Sequence, residues 1–180
     1  MTIDACSLLE TPLGSFQLRR AMEGEEKIMF QLLTAVAEDM VIQQRNQWIP
    51  DMFSMDLMRE YLKEREVWIL YDNDTPAGMF TLQDSDPAYW GERNHPDYSY
   101  LHRFAILPQY RGMELGSRMI DFAENRSKQQ KKRGLRLDCV SHLPSLNEYY
   151  QGLGYHFVAA QQLTNRTVHL YEKSWVDMTS

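Results

Sequence analysis

The stretch LHRFAILPQYRGMELGSRMI (101–120) holds the residues whose types and spacing best suit chemistry. An apolar strand ends at Pro108, a polar turn containing Gly112 and Gly116 follows, and a helix comes next. Such a turn aims backbone N–H groups and a helix N-terminus at an anion, and a pyrophosphate is a natural ligand. The turn residues are Gln109, Arg111, Gly112, Met113, Glu114, Leu115, Gly116 and Ser117. A Walker loop does not fit, because Gly116 is followed by Ser117 and Arg118 and the glycine spacing is too short. A dinucleotide fingerprint does not fit either, because it needs a third glycine and a later acidic residue. Glu114 brings a negative charge into the turn. The expectation is an outward-facing side chain on a residue of negative φ, its repulsion screened by solvent and offset by Arg111 and Arg118. The other reading is a plain helix-start turn.

Other chemistries find no pattern. His95, His102, His142, His156 and His169 lack ligand spacing, and neither Cys6 nor Cys139 belongs to a C-x-x-C. No metal is expected. No G-x-S-x-G marks a serine nucleophile.

The elements that must position the turn can be read from periodicity. Strands are expected over 16–22, 67–72, 79–83, 100–107, 135–140, 155–160 and 167–173. Helices are expected over 24–41, with Ile28, Leu32, Leu33, Val36 and Met40 in phase, over 54–66 behind a Ser54 cap, after Gly116, and over 145–154. Residues 1–14 read as an irregular lead-in, 73–78 as a turn and 84–99 as a long polar loop. The chain of 180 residues, without repeats or a linker, is expected to form a single domain over 1–180, a mixed sheet with helices packed on it, of α/β (α+β) class.

Two segments carry a resemblance to a known family. The turn resembles the acetyl-coenzyme A signature Gln/Arg-x-x-Gly-x-Gly/Ala of the GCN5-related N-acetyltransferase (GNAT) superfamily, in Gln109, Tyr110, Arg111, Gly112, Met113 and Glu114. Glu114 departs from it. LRLDCVSHLPSLNEYYQGLGYHFV resembles the family's strand, short helix and Tyr-x-x-x-Gly-Phe ending, with Tyr150, Gly154 and Tyr155. The order of elements over residues 16–173 is also similar. The resemblance implies a GNAT-like fold, a central mixed, mostly antiparallel sheet of about six to seven strands flanked by about four helices.

The resemblance also implies the chemistry: acetyl-CoA as co-substrate and direct attack by an amine in a ternary complex. The backbone of Phe104, Ala105 and Ile106 would hold the pantetheine arm, and the N–H of Ile106 would polarise the thioester carbonyl. Tyr150 would be the general acid, because an ordinary phenol is protonated at neutral pH. Packing is the alternative role for Tyr149 and Tyr150. Asn147, one helical turn before Tyr150, would contact the coenzyme, since the family's more usual Asn falls on Leu143. The strand that carries the family's base offers His102 and Arg103, and His102 is the candidate base; a strand histidine hydrogen-bonded to a neighbour is the other reading, and solvent takes the proton if the amine enters neutral. Trp48, Phe53, Tyr89 and Trp90 fall where the acceptor pocket would lie, and an aromatic wall suits an ammonium through cation–π contact; core packing or loop anchoring is the alternative for each. Asp84 and Asp86 would attract a cation, or form turns.

Bulk properties narrow the partners. A net charge of -6 argues against a broad nucleic-acid footprint. Few cysteines, no leader pattern and no apolar run of membrane length point to reduced thiols and a cytoplasmic place. The expected partner is a small-molecule or peptide amine, with a homodimer as the base-rate assembly. A non-catalytic acyl-CoA-binding or protein-interaction module on the same fold is the second reading.

Overall fold

The computed structural model describes residues 6–175. Its elements in chain order are β1 (Cys6–Thr11), β2 (Gly14–Arg20), α1 (Glu26–Ile42), α2 (Met55–Glu64), β3 (Glu66–Asp72), β4 (Thr75–Gln83), α3 (Pro87–Trp90), β5 (Tyr98–Ile106), α4 (Leu115–Gln129), β6 (Gly134–Val140), α5 (Pro144–Gly152), β7 (His156–Gln162) and β8 (Thr167–Ser174). The strands form one mixed sheet in the order β1-β2-β3-β4-β5-β6-β8-β7. The expected class therefore stands, with one strand and one short helix more than periodicity suggested.

The added strand corrects the reading of residues 1–14 as irregular. Cys6–Thr11 pairs antiparallel with β2, from Cys6↔Arg19 to Thr11↔Gly14. Only Leu9 of β1 is buried, so an edge strand of this kind carries little alternation to detect. Residues 1–5 lie outside the described residues. The turn expected over 73–78 is also shorter: Asn73 takes a φ of 53°, which closes a two-residue hairpin and lets β4 begin at Thr75.

The contacts divide the chain into two compact units. The first comprises residues up to Thr81 together with Arg103–Ile120. Its core gathers the buried stripe of α1 (Met29, Leu32, Leu33, Val36, Ala37, Met40) with Met58 and Tyr61 of α2, Val67, Ile69 and Tyr71 of β3, and Ala105. Ser54 caps α2 as expected, its hydroxyl accepting from the N–H of Leu57 at 3.1 Å. Gly78 allows a close backbone approach. A Cβ there would lie 2.5 Å from the carbonyl oxygen of Ala105. The N–H of Leu107 donates to the carbonyl of Ala77 at 2.9 Å.

The second unit comprises Leu82–His102 and the chain from Asp121 onward. Here β5 pairs in parallel with β6 over only Tyr98↔Gly134, Ser99↔Leu135 and Tyr100↔Arg136. Beyond that point β6 runs on to Val140, paired antiparallel with β8. Arg136 anchors the unit: it holds Glu172 at 2.8 Å, donates to the Tyr100 hydroxyl and the Arg93 carbonyl, and sits between the rings of Trp90 and Tyr98. None of the described helices is long and apolar enough to cross a membrane.

Replacing Gly78 by Ala is expected to lower stability by about 1–3 kcal/mol, because the new methyl meets rigid backbone. Urea unfolding reads this, and an unchanged midpoint would refute the tight approach of β4 to Ala105.

Candidate active site

The distal half of β5 and the turn after it lie in the first unit. Strand alternation fixes which backbone groups are available. Ala105 and Leu107 turn their backbone toward β4, so Phe104 and Ile106 turn theirs to the other edge. Of the three residues expected to hold a pantetheine arm, Ala105 is therefore committed to β4, and its side chain is core. A 3-10 turn, Pro108–Tyr110, ends the strand. Tyr110 pins it by donating to Asp72 at 3.0 Å and packing edge-on against Phe16.

Arg111 closes the next link. Its Nε donates to the carbonyl of Ile106 and its Nη1 holds Asp39 of α1 at 2.7 Å. It is a strut, so its charge is taken by Asp39 and is not spent on Glu114. Past it, the N–H groups of Gly112, Met113, Glu114, Leu115, Gly116 and Ser117 have no hydrogen-bond acceptor among the described residues; the first helical bond is from Arg118 to the Glu114 carbonyl. Consecutive free N–H groups at the start of a 15-residue helix form an anion nest.

Glu114 does not keep the negative φ expected of it. Its φ is 63° and that of Gly112 is 80°. A left-handed conformation at a non-glycine residue costs about 1–2 kcal/mol, which accounts physically for a glycine preference at this place in the turn. The carboxylate is exposed, as expected, and lies 3.8 Å from Arg118 one turn along the helix. The Ser117 hydroxyl donates to the Glu114 carbonyl. Gln109 is exposed, while Leu115 is buried and anchors the helix start.

Trp48 and Phe53 are buried and pack edge-to-face, with ring centroids 5.8 Å apart. They do not await an ammonium. The guanidinium of Arg103 already lies 5.1 Å from the Phe53 centroid and 5.6 Å from that of Trp48, and its Nε donates to the Tyr61 hydroxyl at 2.9 Å. Nothing in the sequence marks this arrangement, because it follows from a φ of 52° at Arg103 inside a strand.

The remaining candidates belong to the second unit. Tyr150 is buried against Tyr155 and Tyr171. Burial, and then the neighbouring Cys139, Tyr149 and Asp138, push its phenol far above the ordinary value. Asn147 is not free to reach a coenzyme. Its amide donates to the carbonyls of Val140 and Leu143, and its oxygen accepts from Tyr171 at 2.6 Å and faces His169 Nδ1 at 2.9 Å. All its capacity is used inside the unit. Gly154, with a φ of 93°, ends the short helix.

His102 sits between two carboxylates, with Nε2 2.7 Å from Asp86 and Nδ1 3.5 Å from Asp138. Both ring nitrogens face a carboxylate, so the ring is oriented from two sides. The ligand atoms of Asp86, His102 and Asp138 lie within 4.8 Å of one another, a grouping that scanning for chain spacing could not reveal. The two loop aspartates have internal partners: Asp84 pairs with Lys132 at 3.3 Å, and Asp86 with His102. Tyr89 accepts from Arg166 and leans on the His102 ring. Trp90 is buried between Arg136 and Tyr100.

Residues 32–155 match the acetyltransferase (GNAT) family. The chain is similar to the uncharacterized N-acetyltransferase YesJ of Bacillus subtilis, 27% identical over 170 residues that cover 91% of this chain and 93% of that protein. In structure it is similar to a GNAT-family acetyltransferase from Listeria monocytogenes, with a TM-score of 0.77 at 22% identity, covering 94% of this chain and 100% of that one. It also resembles a Bacillus anthracis acetyltransferase solved in complex with acetyl coenzyme A, with a TM-score of 0.53 at 16% identity, covering 65% and 67%. At these identities the structural likenesses show the fold.

Two outcomes test the site geometry. Glu114→Gly is expected to raise stability by about 1 kcal/mol by relieving the left-handed backbone, whereas Glu114→Ala is not; equal effects of the two would assign the change to charge. Burial, and then Asp138, push the Cys139 thiol from 9.0 up to about 12. The folded state thus holds that proton more tightly, and its contribution to stability is present below pH 9 and lost as pH rises toward 12. At neutral pH an aromatic disulfide reagent should titrate exposed Cys6 alone in the native protein, and both thiols after unfolding.

Proposed function

The chain belongs to the acetyltransferase (GNAT) family, and from that premise we propose that it transfers an acetyl group from acetyl-coenzyme A to a primary amine, on a small molecule or an exposed amino group. The observation that carries the reading is the run of unpartnered N–H groups from Gly112 to Ser117. Donors without acceptors at a helix start suit the coenzyme's pyrophosphate. The backbone edge at Phe104 and Ile106 is the second support, because its N–H and carbonyl groups can pair with an amide-bearing arm.

Acetyl-coenzyme A supplies the activated acyl group. The nest from Gly112 to Ser117 holds phosphate charge. The N–H of Ile106 donates to the thioester carbonyl and stabilises negative charge there as the amine attacks. The C–N bond forms and the C–S bond breaks with no acyl-enzyme. Cys139 fits this route, since its thiol stays protonated and cannot compete as a nucleophile. Tyr150 gives its phenolic proton to the departing thiolate and regains one from solvent. Its burial keeps the phenol protonated across the working pH range. His102, set between Asp86 and Asp138, takes the proton of the attacking amine, or solvent does where the amine enters neutral.

Calorimetric titration with acetyl-coenzyme A tests the nest. Micromolar binding is expected for the native chain and none for Gly112→Glu, whose side chain adds charge at a φ of 80°. Tyr150→Phe should bind the coenzyme normally and lose about 10²- to 10⁴-fold in kcat, with no ionisation of a tyrosine visible in the native pH profile near neutrality. Tight binding without turnover of any amine would favour the non-catalytic module instead.

A further inference from the structure

We infer that Arg103 selects the acceptor, and that the acceptor is a small amine carrying a carboxylate. The inference rests on the transferase reading above and names its substrate class. It starts from an outlier: Arg103 has a φ of 52° in the middle of β5. A non-glycine residue holds such a conformation only where its surroundings enforce it, and such places cluster at functional sites. The result is a half-buried guanidinium set against Trp48, Phe53 and Tyr61.

In a protein of net charge -6, Arg20, Arg111, Arg133 and Arg136 each hold a carboxylate. Arg103 holds none among the described residues. Its Nε is fixed by the Tyr61 hydroxyl, and its Nη1 and Nη2 carry no hydrogen bond among the described residues. A planar fork held by one bond and set over two rings is already oriented for a planar carboxylate, which it can grip in two places. The faces of Trp48 and Phe53 already hold the chain's own cation, which disfavours an acceptor bound there through its ammonium. Arg65 adds positive charge nearby, over the ring of the same Tyr61 at 4.1 Å.

The test compares phenylalanine, phenylalaninamide and phenethylamine as acceptors, by thiol release from acetyl-coenzyme A. The acid is expected to exceed its amide in kcat/KM roughly 10- to 100-fold, although the amide's less basic amine is more often neutral. Arg103→Gln should abolish that preference through KM, Arg103→Lys should keep part of it, and both should keep the native coenzyme KM and circular dichroism. Equal use of acid and amide by the native enzyme, or a preference that survives Arg103→Gln, overturns the inference. If no amine is turned over, the transferase reading fails separately. Tryptophan fluorescence titration with coenzyme present then decides: saturable binding of the acid, absent for the amide and in Arg103→Gln, supports the carboxylate site, and no binding of the acid overturns it.

Discussion

The constraint that governs this molecule is the shortness of the parallel ladder between β5 and β6. Three residue pairs join them, and the ladder ends at Tyr100↔Arg136. Backbone N–H and carbonyl groups seldom stay unpaired without a reason, and an unpaired strand edge invites another chain. β5 nonetheless continues through Ile106, pressed against β4 at Gly78 on one side. Alternation then leaves the groups of Phe104 and Ile106 for something other than β4. The positive φ at Arg103 belongs to the same feature, because a strand that leaves its ladder can accommodate a bulge-like residue.

The turn after β5 repeats this logic. Its struts are side chains: Tyr110 on Asp72, and Arg111 on Asp39 and on the Ile106 carbonyl. Because these bonds come from side chains, the main-chain N–H groups that follow are not consumed. A charge-assisted Arg–carboxylate bond is stronger than a neutral one, so the turn is fixed from outside while its interior keeps its donors. Glu114 is tolerated because its carboxylate is exposed beside Arg118, though its backbone remains costly.

In the second unit a saturated polar network performs the positioning. Asn147 ties α5 to β6, and through Tyr171 and His169 to β8. Tyr150 comes one turn later on the same helix and is thereby held in an apolar setting, which keeps its proton in place. Satisfied buried networks of this kind rigidify their surroundings. Asp86 and Asp138 orient the His102 ring from both sides in the same way.

The sequence by itself determined the class of fold, the order of nearly all elements, the glycine turn before α4 and the Tyr150–Gly154 ending. These are local: apolar periodicity, turn residues and capping are written within a few positions of one another. Edge strand β1 and the four-residue helix α3 escaped because each buries too little to leave a period. The fate of individual side chains was decided only in three dimensions. The sequence left open whether Trp48 and Phe53 face a ligand or pack in the core, and the fold buries them with Arg103 against them; the partners of Asn147 and His102 lie 22 and 36 residues away in the chain. Glu114 looked harmless until its φ was known. Hydrogen-bond saturation and backbone sign depend on what the fold brings near, and no spacing along the chain encodes them.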